Sequence, residues 1–88
     1  MKSRRTKQFR AQLEALPASA QRLAAETYRR WQADPSYPGL HFKPIDPSDP
    51  NVFSIQIGGH YRAICERQPD GAYLWVWIGT HEQYNNLV

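Results

Sequence analysis

The side chains whose types and places could do chemistry are two histidines and a lysine, each next to a run of strand-forming residues. His81 follows Tyr73-Leu74-Trp75-Val76-Trp77-Ile78-Gly79-Thr80, in which six apolar or aromatic residues in a row read as a central strand covered on both faces. Gly79 breaks the run, and Thr80 suits the N-cap of a short terminal helix from His81 to Leu87. A histidine at the end of such a strand has the proton affinity for acid–base work near neutral pH; the plainer reading is a hydrogen-bonded histidine in a strand-to-helix turn. Alternation across Leu40-His41-Phe42-Lys43 sends Leu40 and Phe42 toward the helices. It leaves His41 and Lys43 side by side on the opposite face, as two groups able to meet a phosphate. On a later strand, Arg62 shares a face with Ile64 and not with Tyr61.

The elements that must position these residues follow from periodicity. Thr6 can cap a first helix from about Lys7 to Leu16, with Phe9, Leu13 and Leu16 as its apolar stripe. Pro17 ends that helix and opens a second, in which Ala20, Leu23, Ala24, Thr27 and Trp31 recur at helical spacing until Asp34-Pro35. The pattern predicts a helical hairpin with a tight corner and Trp31 in the core. Pro35-Ser36-Tyr37-Pro38-Gly39 reads as the loop from helices to sheet. The strand containing Lys43 is expected to lie at an edge or to stop at Pro44, and Asp46-Pro47-Ser48-Asp49-Pro50-Asn51 reads as an exposed connection.

Phe53, Ile55 and Ile57 alternate with Ser54 and Gln56 as far as Gly58-Gly59, a dipeptide suited to a two-residue hairpin turn, and the chain returns over His60 to Arg67. Gln68-Pro69-Asp70-Gly71 is a second turn, so the strands from residue 52 onward form an antiparallel meander. Two helices cannot cover both faces of this sheet. The second face is left to the C-terminal helix, a partner chain, or an open groove lined by Trp75 or Trp77.

Length and composition narrow the function classes. Eighty-eight residues make one domain over 1–88 that should fold without disulfides or metal. Cys65 is the single cysteine, which excludes an intramolecular disulfide and a cysteine-based zinc site and points to a reducing cytoplasm. Three histidines without ligand spacing imply no metal, and Gly58-Gly59 fits a hairpin better than a phosphate cradle, so no cofactor is expected. The basic start Met1-Lys2-Ser3-Arg4-Arg5 is not followed by the apolar run of a secretory signal, and no stretch is long enough to span a membrane. The net charge of +3 hides an asymmetry: residues 1–30 carry eight basic residues against Glu14 and Glu26, a balance of +6, and the remainder is −3. Such a segment suits a phosphate backbone, an acidic protein partner, or simply the solvated face of helices.

The order of these pieces has a known counterpart. A helical hairpin with Leu16-Pro17 at its corner, then Leu40-His41-Phe42-Lys43, Phe53-Ser54-Ile55-Gln56-Ile57, Tyr61-Arg62-Ala63-Ile64 and Trp75-Val76-Trp77-Ile78-Gly79-Thr80-His81-Glu82-Gln83-Tyr84, resembles the RelE/ParE toxin superfamily of bacterial toxin–antitoxin systems. The closest likeness is to its small cytotoxic RelE-like branch. The resemblance implies an α+β domain: an N-terminal helical hairpin packed on a twisted antiparallel sheet of three to four strands, with a short C-terminal helix. It also implies a cognate antitoxin, acidic and partly disordered, that wraps the toxin. RelE-like members are metal-independent, ribosome-dependent mRNA endoribonucleases that inhibit translation, whereas ParE-like members inhibit DNA gyrase without chemistry; an inactive interaction domain of the same fold is a third outcome.

In the nuclease case a ribose 2′-hydroxyl attacks the neighbouring phosphate, which needs a base, an acid and positive charge on the pentavalent phosphorus. The resemblance assigns His81 as acid or base, Arg62 as phosphate stabiliser and Lys43 as the basic residue of the first sheet strand. Tyr84 is a further catalytic candidate that also fits a packing role beside Leu87, and His41, Gln56, His60 and Arg67 are expected RNA contacts. Gln56 stands where relatives usually carry an arginine, and Pro44 where a basic residue is frequent, leaving the sheet short of positive charge. The superfamily commonly begins with a strand, but Met1 to Arg5 is short and basic, so the sheet is expected to lack it.

Overall fold

A computed structural model describes residues 2–88. Thr6 caps helix α1 (Lys7–Glu14) by accepting the Phe9 N–H on its hydroxyl at 3.0 Å. Leu16 lies in the corner beyond the helix, and its carbonyl accepts the Gln21 side-chain amide at 2.9 Å. Helix α2 (Ala18–Ala33) starts directly after Pro17. The sheet comprises β1 (Ser3–Arg5), β2 (Lys43–Asp46), β3 (Asp49–Ile57), β4 (Tyr61–Arg67) and β5 (Tyr73–Thr80), in spatial order β1-β5-β4-β3-β2. Helix α3 (His81–Leu87) follows without a linker. The α+β class and the helical hairpin are as expected, whereas the sheet has five strands and is mixed.

The added strand is the one judged absent. Ser3, Arg4 and Arg5 pair in parallel with Tyr73, Leu74 and Trp75, and the ladder is flanked by Tyr73 N–H to Lys2 C=O and Thr6 N–H to Trp75 C=O, both at 3.0 Å. Met1, part of the segment read as strandless, lies outside the described residues. A three-residue edge strand needs only backbone partners, so it leaves no alternating pattern to read, and its exposed arginines discourage further edge pairing. Arg4 pairs with Asp70 at 3.3 Å, an exposed contact that adds little stability. It is β1 that makes β5 an inner strand.

Three other expectations are corrected. Leu40 ends a 3₁₀ turn (Pro38–Leu40), and His41 follows it with φ +47°, so the strand begins only at Lys43 and runs through Pro44 to Asp46. Leu40 and Phe42 nonetheless reach the core side as the alternation implied. Pro44 is tolerated because β2 is an edge strand. The supposed open connection from Asp46 is a tight hairpin in which the Asp46 carboxylate accepts from the Ser48 N–H at 2.9 Å and the Ser48 hydroxyl at 2.7 Å, and β3 begins at Asp49. The glycine hairpin has three loop residues between the paired Ile57 and Tyr61; Gly58 takes φ +60°, and a Cβ there would meet Leu23 of α2 at 2.7 Å.

The helices cover one face of the sheet. Trp31 is fully buried, with its ring edge-on to Trp75 at 5.1 Å and to Tyr73 at 5.2 Å between centroids. Phe9, Leu40, Ile55, Ile57, Ala63, Cys65 and Ile78 complete the buried cluster. Within β5 the register slips: Ile64 pairs with Trp77 and Cys65 with Trp75, leaving Val76 as a bulge. The bulge exchanges the faces of the strand. Tyr73, Trp75 and Ile78 therefore all pack on the helix side, and Trp77 faces the other side, where its ring lies 6.4 Å from Tyr84 of α3. The second face is thus covered at β5 by α3, and Trp75 belongs to the core.

Removing the Trp31 ring should lower unfolding stability by about 3–5 kcal/mol. Chemical denaturation of Trp31→Ala against wild type checks this; a loss below about 1 kcal/mol would contradict the central place of the ring.

Candidate functional site

On the face away from the helical hairpin, strand pairing lays side chains out in two rows. Lys43, Ser54, Ile64 and Trp77 are cross-strand partners in sequence from β2 to β5, and Gln56, Arg62 and Gly79 form the next row. Arg62 therefore stands between an uncharged glutamine and a residue with no side chain. A Cβ at Gly79 would lie 2.5 Å from the Gln83 side-chain oxygen and 2.7 Å from the Trp77 ring, so only glycine fits this approach of α3 to the sheet.

His81 is set by the turn into α3. Its N–H donates to the His60 carbonyl at 2.7 Å. Thr80 and Gln83 form a reciprocal capping box, with Gln83 N–H on the Thr80 hydroxyl at 3.1 Å and Thr80 N–H on the Gln83 side-chain oxygen at 2.8 Å. One turn on, the Tyr84 hydroxyl donates to the Ser54 hydroxyl at 3.1 Å.

These constraints enclose a cleft of about 240 Å³ lined by His41, Lys43, Ser54, Gln56, Arg62, His81, Tyr84 and Asn85. Among the described residues, no carboxylate lines it. Arg62 is half-buried and spends one N–H on the Tyr61 carbonyl at 2.8 Å, and no ion pair to a carboxylate engages it or Lys43 among the described residues. A cleft with two unpaired cations, two imidazoles and a phenol has the groups that can receive an anion and move protons beside it. His41 enters from a left-handed backbone conformation, outside any strand, and lines the same cleft as Lys43.

Six of the eight residues expected from the sequence converge here: His81, Arg62, Lys43, Tyr84, His41 and Gln56. His60 is exposed and contributes its carbonyl to the His81 turn. Arg67 lies outside the cleft, where its side chain meets Asn51 at 3.2 Å and the Phe53 ring at 5.8 Å. Two lining residues had not been singled out. Ser54 shared Gln56's side of an alternating strand and Asn85 lies one helical turn from His81, so both were within reach of the same periodicity. Cys65 takes no part: it is fully buried on the core side, and burial, with a lesser contribution from Glu66, pushes its thiol up to about 12.

A larger cavity of about 420 Å³ lies between the helices and the sheet, walled by apolar residues such as Leu13, Ala24 and Ile78, with Arg4, Arg5 and Arg29 also lining it. It contains none of the expected catalytic side chains.

The fold recurs in solved structures of bacterial and archaeal toxins. The toxin–antitoxin complex RelBE2 of Mycobacterium tuberculosis matches with 18% identity and TM-score 0.71 over 91% of this chain and 90% of that one. The RelB–RelE complex of Methanococcus jannaschii matches with 18% identity and TM-score 0.71 over 94% and 95%. The YoeB/ParE toxin of Agrobacterium tumefaciens matches with 14% identity and TM-score 0.71 over 92% and 99%. No curated protein sequence matches. The model of the ParE-like toxin domain family matches residues 18–86, and the chain belongs to that family, within the RelE/ParE superfamily of toxins.

Two predictions follow from the site and its surroundings. Gly79→Ala should destabilise the fold by about 1–3 kcal/mol through the Trp77 and Gln83 contacts and should broaden the amide signals of α3 in NMR spectra. The Cys65 thiol should resist a disulfide reagent at pH 8 until the protein is denatured. Because an unfolded thiol ionises near about 8.5 and the folded one near about 12, its contribution to stability is full below the lower value and is lost as pH rises toward the upper.

Proposed function

We propose that this chain is the toxin of a toxin–antitoxin pair and cleaves translated mRNA in the cleft between the sheet and α3. The observation that carries the reading is the convergence of Lys43, Arg62, His81 and Tyr84 in one cleft free of carboxylates. RNA supplies its own nucleophile. The 2′-oxygen forms a bond to phosphorus, the bond to the 5′-oxygen breaks, and a 2′,3′-cyclic phosphate and a free 5′-hydroxyl result. Lys43 and Arg62 hold the phosphoryl oxygens as negative charge builds on them. His81 exchanges the proton, taking it from the 2′-hydroxyl or giving it to the leaving oxygen, and Tyr84 assists from the adjoining turn. His41 and Gln56 contact the flanking nucleotide. No step calls for a cofactor, and the ribosome presents the message.

A second reading is favoured by two observations: the matching family is named for ParE-like toxins, and the cleft carries Gln56 in place of a further cation. In that reading the same surface binds DNA gyrase and performs no chemistry.

The antitoxin partner is inferred from the company this fold keeps, since the similar M. tuberculosis and M. jannaschii proteins were solved as toxin–antitoxin complexes. An acidic antitoxin segment would place an apolar side chain in the larger cavity and its carboxylates beside Arg4, Arg5 and Arg29. A nuclease acting on translated messages would work in the cytoplasm, where translation takes place.

Induced expression in a bacterial host, with RNA 5′ ends mapped on translated messages, tests the reading. Wild type should arrest growth and create new in-frame ends; His81→Ala should lower cleavage by about 10²–10⁴-fold and relieve the arrest. Arg62→Ala should fall by about 10²–10³-fold, while Arg67→Gln, outside the cleft, should cleave like wild type. Arrest that survives His81→Ala, or arrest without new ends, would transfer the reading to gyrase.

A further inference from the structure

Ser54 is an anomaly in this sheet. It is a polar side chain only 3% exposed, placed between the core residues Phe53 and Ile55 but on the opposite face. A buried hydroxyl is destabilising unless it is hydrogen-bonded. Its recorded partner is the Tyr84 hydroxyl, thirty residues away in sequence. Helix α3 buries none of its own residues, and Leu87 and Val88 are 57% and 64% exposed. Beyond the capping box at its start, Tyr84 ties α3 to the sheet twice, with its ring against Trp77 and its hydroxyl on Ser54.

We infer that Ser54 is a positioning residue of the cleft, whose hydroxyl takes the phenol hydrogen of Tyr84 and fixes the tyrosine oxygen as a hydrogen-bond acceptor facing the bound RNA. This rests on the nuclease reading. The geometry supplies two restraints on one ring: Trp77 sets its plane and Ser54 its tip. A phenol whose hydrogen is already committed offers only lone pairs to a ligand. Next to a phosphate held by Lys43 and Arg62, the donor that such an oxygen meets is the ribose 2′-hydroxyl, so Tyr84 orients the nucleophile while the cations hold the electrophile. Lys43 is the cross-strand partner of Ser54, which brings the phosphate-binding and tyrosine-fixing groups to adjacent strands. A serine that only anchored α3 would serve equally well with the tyrosine turned away from the cleft, yet both residues line it.

The test compares Ser54→Ala, Ser54→Thr, Tyr84→Phe and the double variant Ser54→Ala/Tyr84→Phe with wild type. Single-turnover cleavage on ribosomes programmed with a defined message is measured beside the NMR signal of the Tyr84 phenol carbon and the thermal midpoint. Ser54→Ala and Tyr84→Phe should each slow the saturated rate by about 10–100-fold with the half-saturating ribosome concentration unchanged. The double variant should be no slower than the slower single one, Ser54→Thr should restore the rate, and the Tyr84 signal should move in Ser54→Ala and return in Ser54→Thr. Wild-type cleavage in Ser54→Ala, additive losses in the double variant, or losses that merely follow the thermal midpoint would overturn the proposal while leaving the nuclease intact. Absence of cleavage by wild type, alike in His81→Ala, would remove the nuclease reading, and the positioning role would fall with it even if the Tyr84 signal still moved.

Discussion

The bulge at Val76 is the constraint on which both halves of this molecule depend. A regular strand with Tyr73 and Trp75 on the helix side would send Ile78 to the other face and bring Trp77 into the core. One unpaired residue reverses that. Before it, the strand gives Tyr73 and Trp75 to the ring cluster around Trp31. After it, Ile78 closes the core against Ala63, and Trp77 and Gly79 are left to support α3. The same strand thus binds the helical hairpin and, five residues beyond the bulge, delivers His81 to the opposite side of the sheet.

This arrangement puts the stabilising core and the candidate cleft on opposite faces of the sheet. The rings around Trp31 and the aliphatic residues beside them hold the domain, with no charged side chain in the buried cluster. On the other face, His41, Lys43 and His81 are exposed and Arg62 is half-buried. Unpaired cations are inexpensive at such positions, where water still reaches them, and would be prohibitive in the core. The backbone ladder keeps them convergent. Lys43, Arg62 and the turn to His81 sit on three strands, each fixed in register by cross-strand pairs, so the cleft needs no ion pairs of its own to hold its shape.

What the sequence disclosed and concealed follows the same physics. Side-chain periodicity records burial, so the stripe through Phe9 and Leu13, the place of Trp31 and the alternation about Ile55 were legible. The faces of Lys43, Arg62 and Gln56 could be read as well, because β3 and β4 are regular with respect to each other. Structure held by the backbone alone leaves no such record. The strand Ser3–Arg5 is a ladder of peptide groups under exposed arginines, the Asp46–Asp49 hairpin is written in an aspartate side chain, and His41 owes its position to a left-handed backbone. The apolar run from Tyr73 to Ile78 was legible as covered on both faces, but the reason was hidden. Alternation cannot reveal a bulge when every residue in the window is apolar. Arg67 shows the converse: on the same strand as Arg62, it is five residues on and therefore on the other face.

The packing role of Tyr84 and the chemical role proposed for it are compatible in this fold. Helix α3 is seven residues long and buries none of them completely, too little to hold itself in place by apolar burial. Its wall of the cleft stands because the Tyr84 ring rests on Trp77 and its hydroxyl reaches Ser54. An anchoring residue must be fixed at both ends, and a residue that orients a substrate must be fixed in the same way. The side chain that ties the helix to the sheet is for that reason a phenol fixed at both its ring and its tip. The demands on Ser54, Trp77 and Gly79 beneath it are therefore demands on the cleft as much as on the fold.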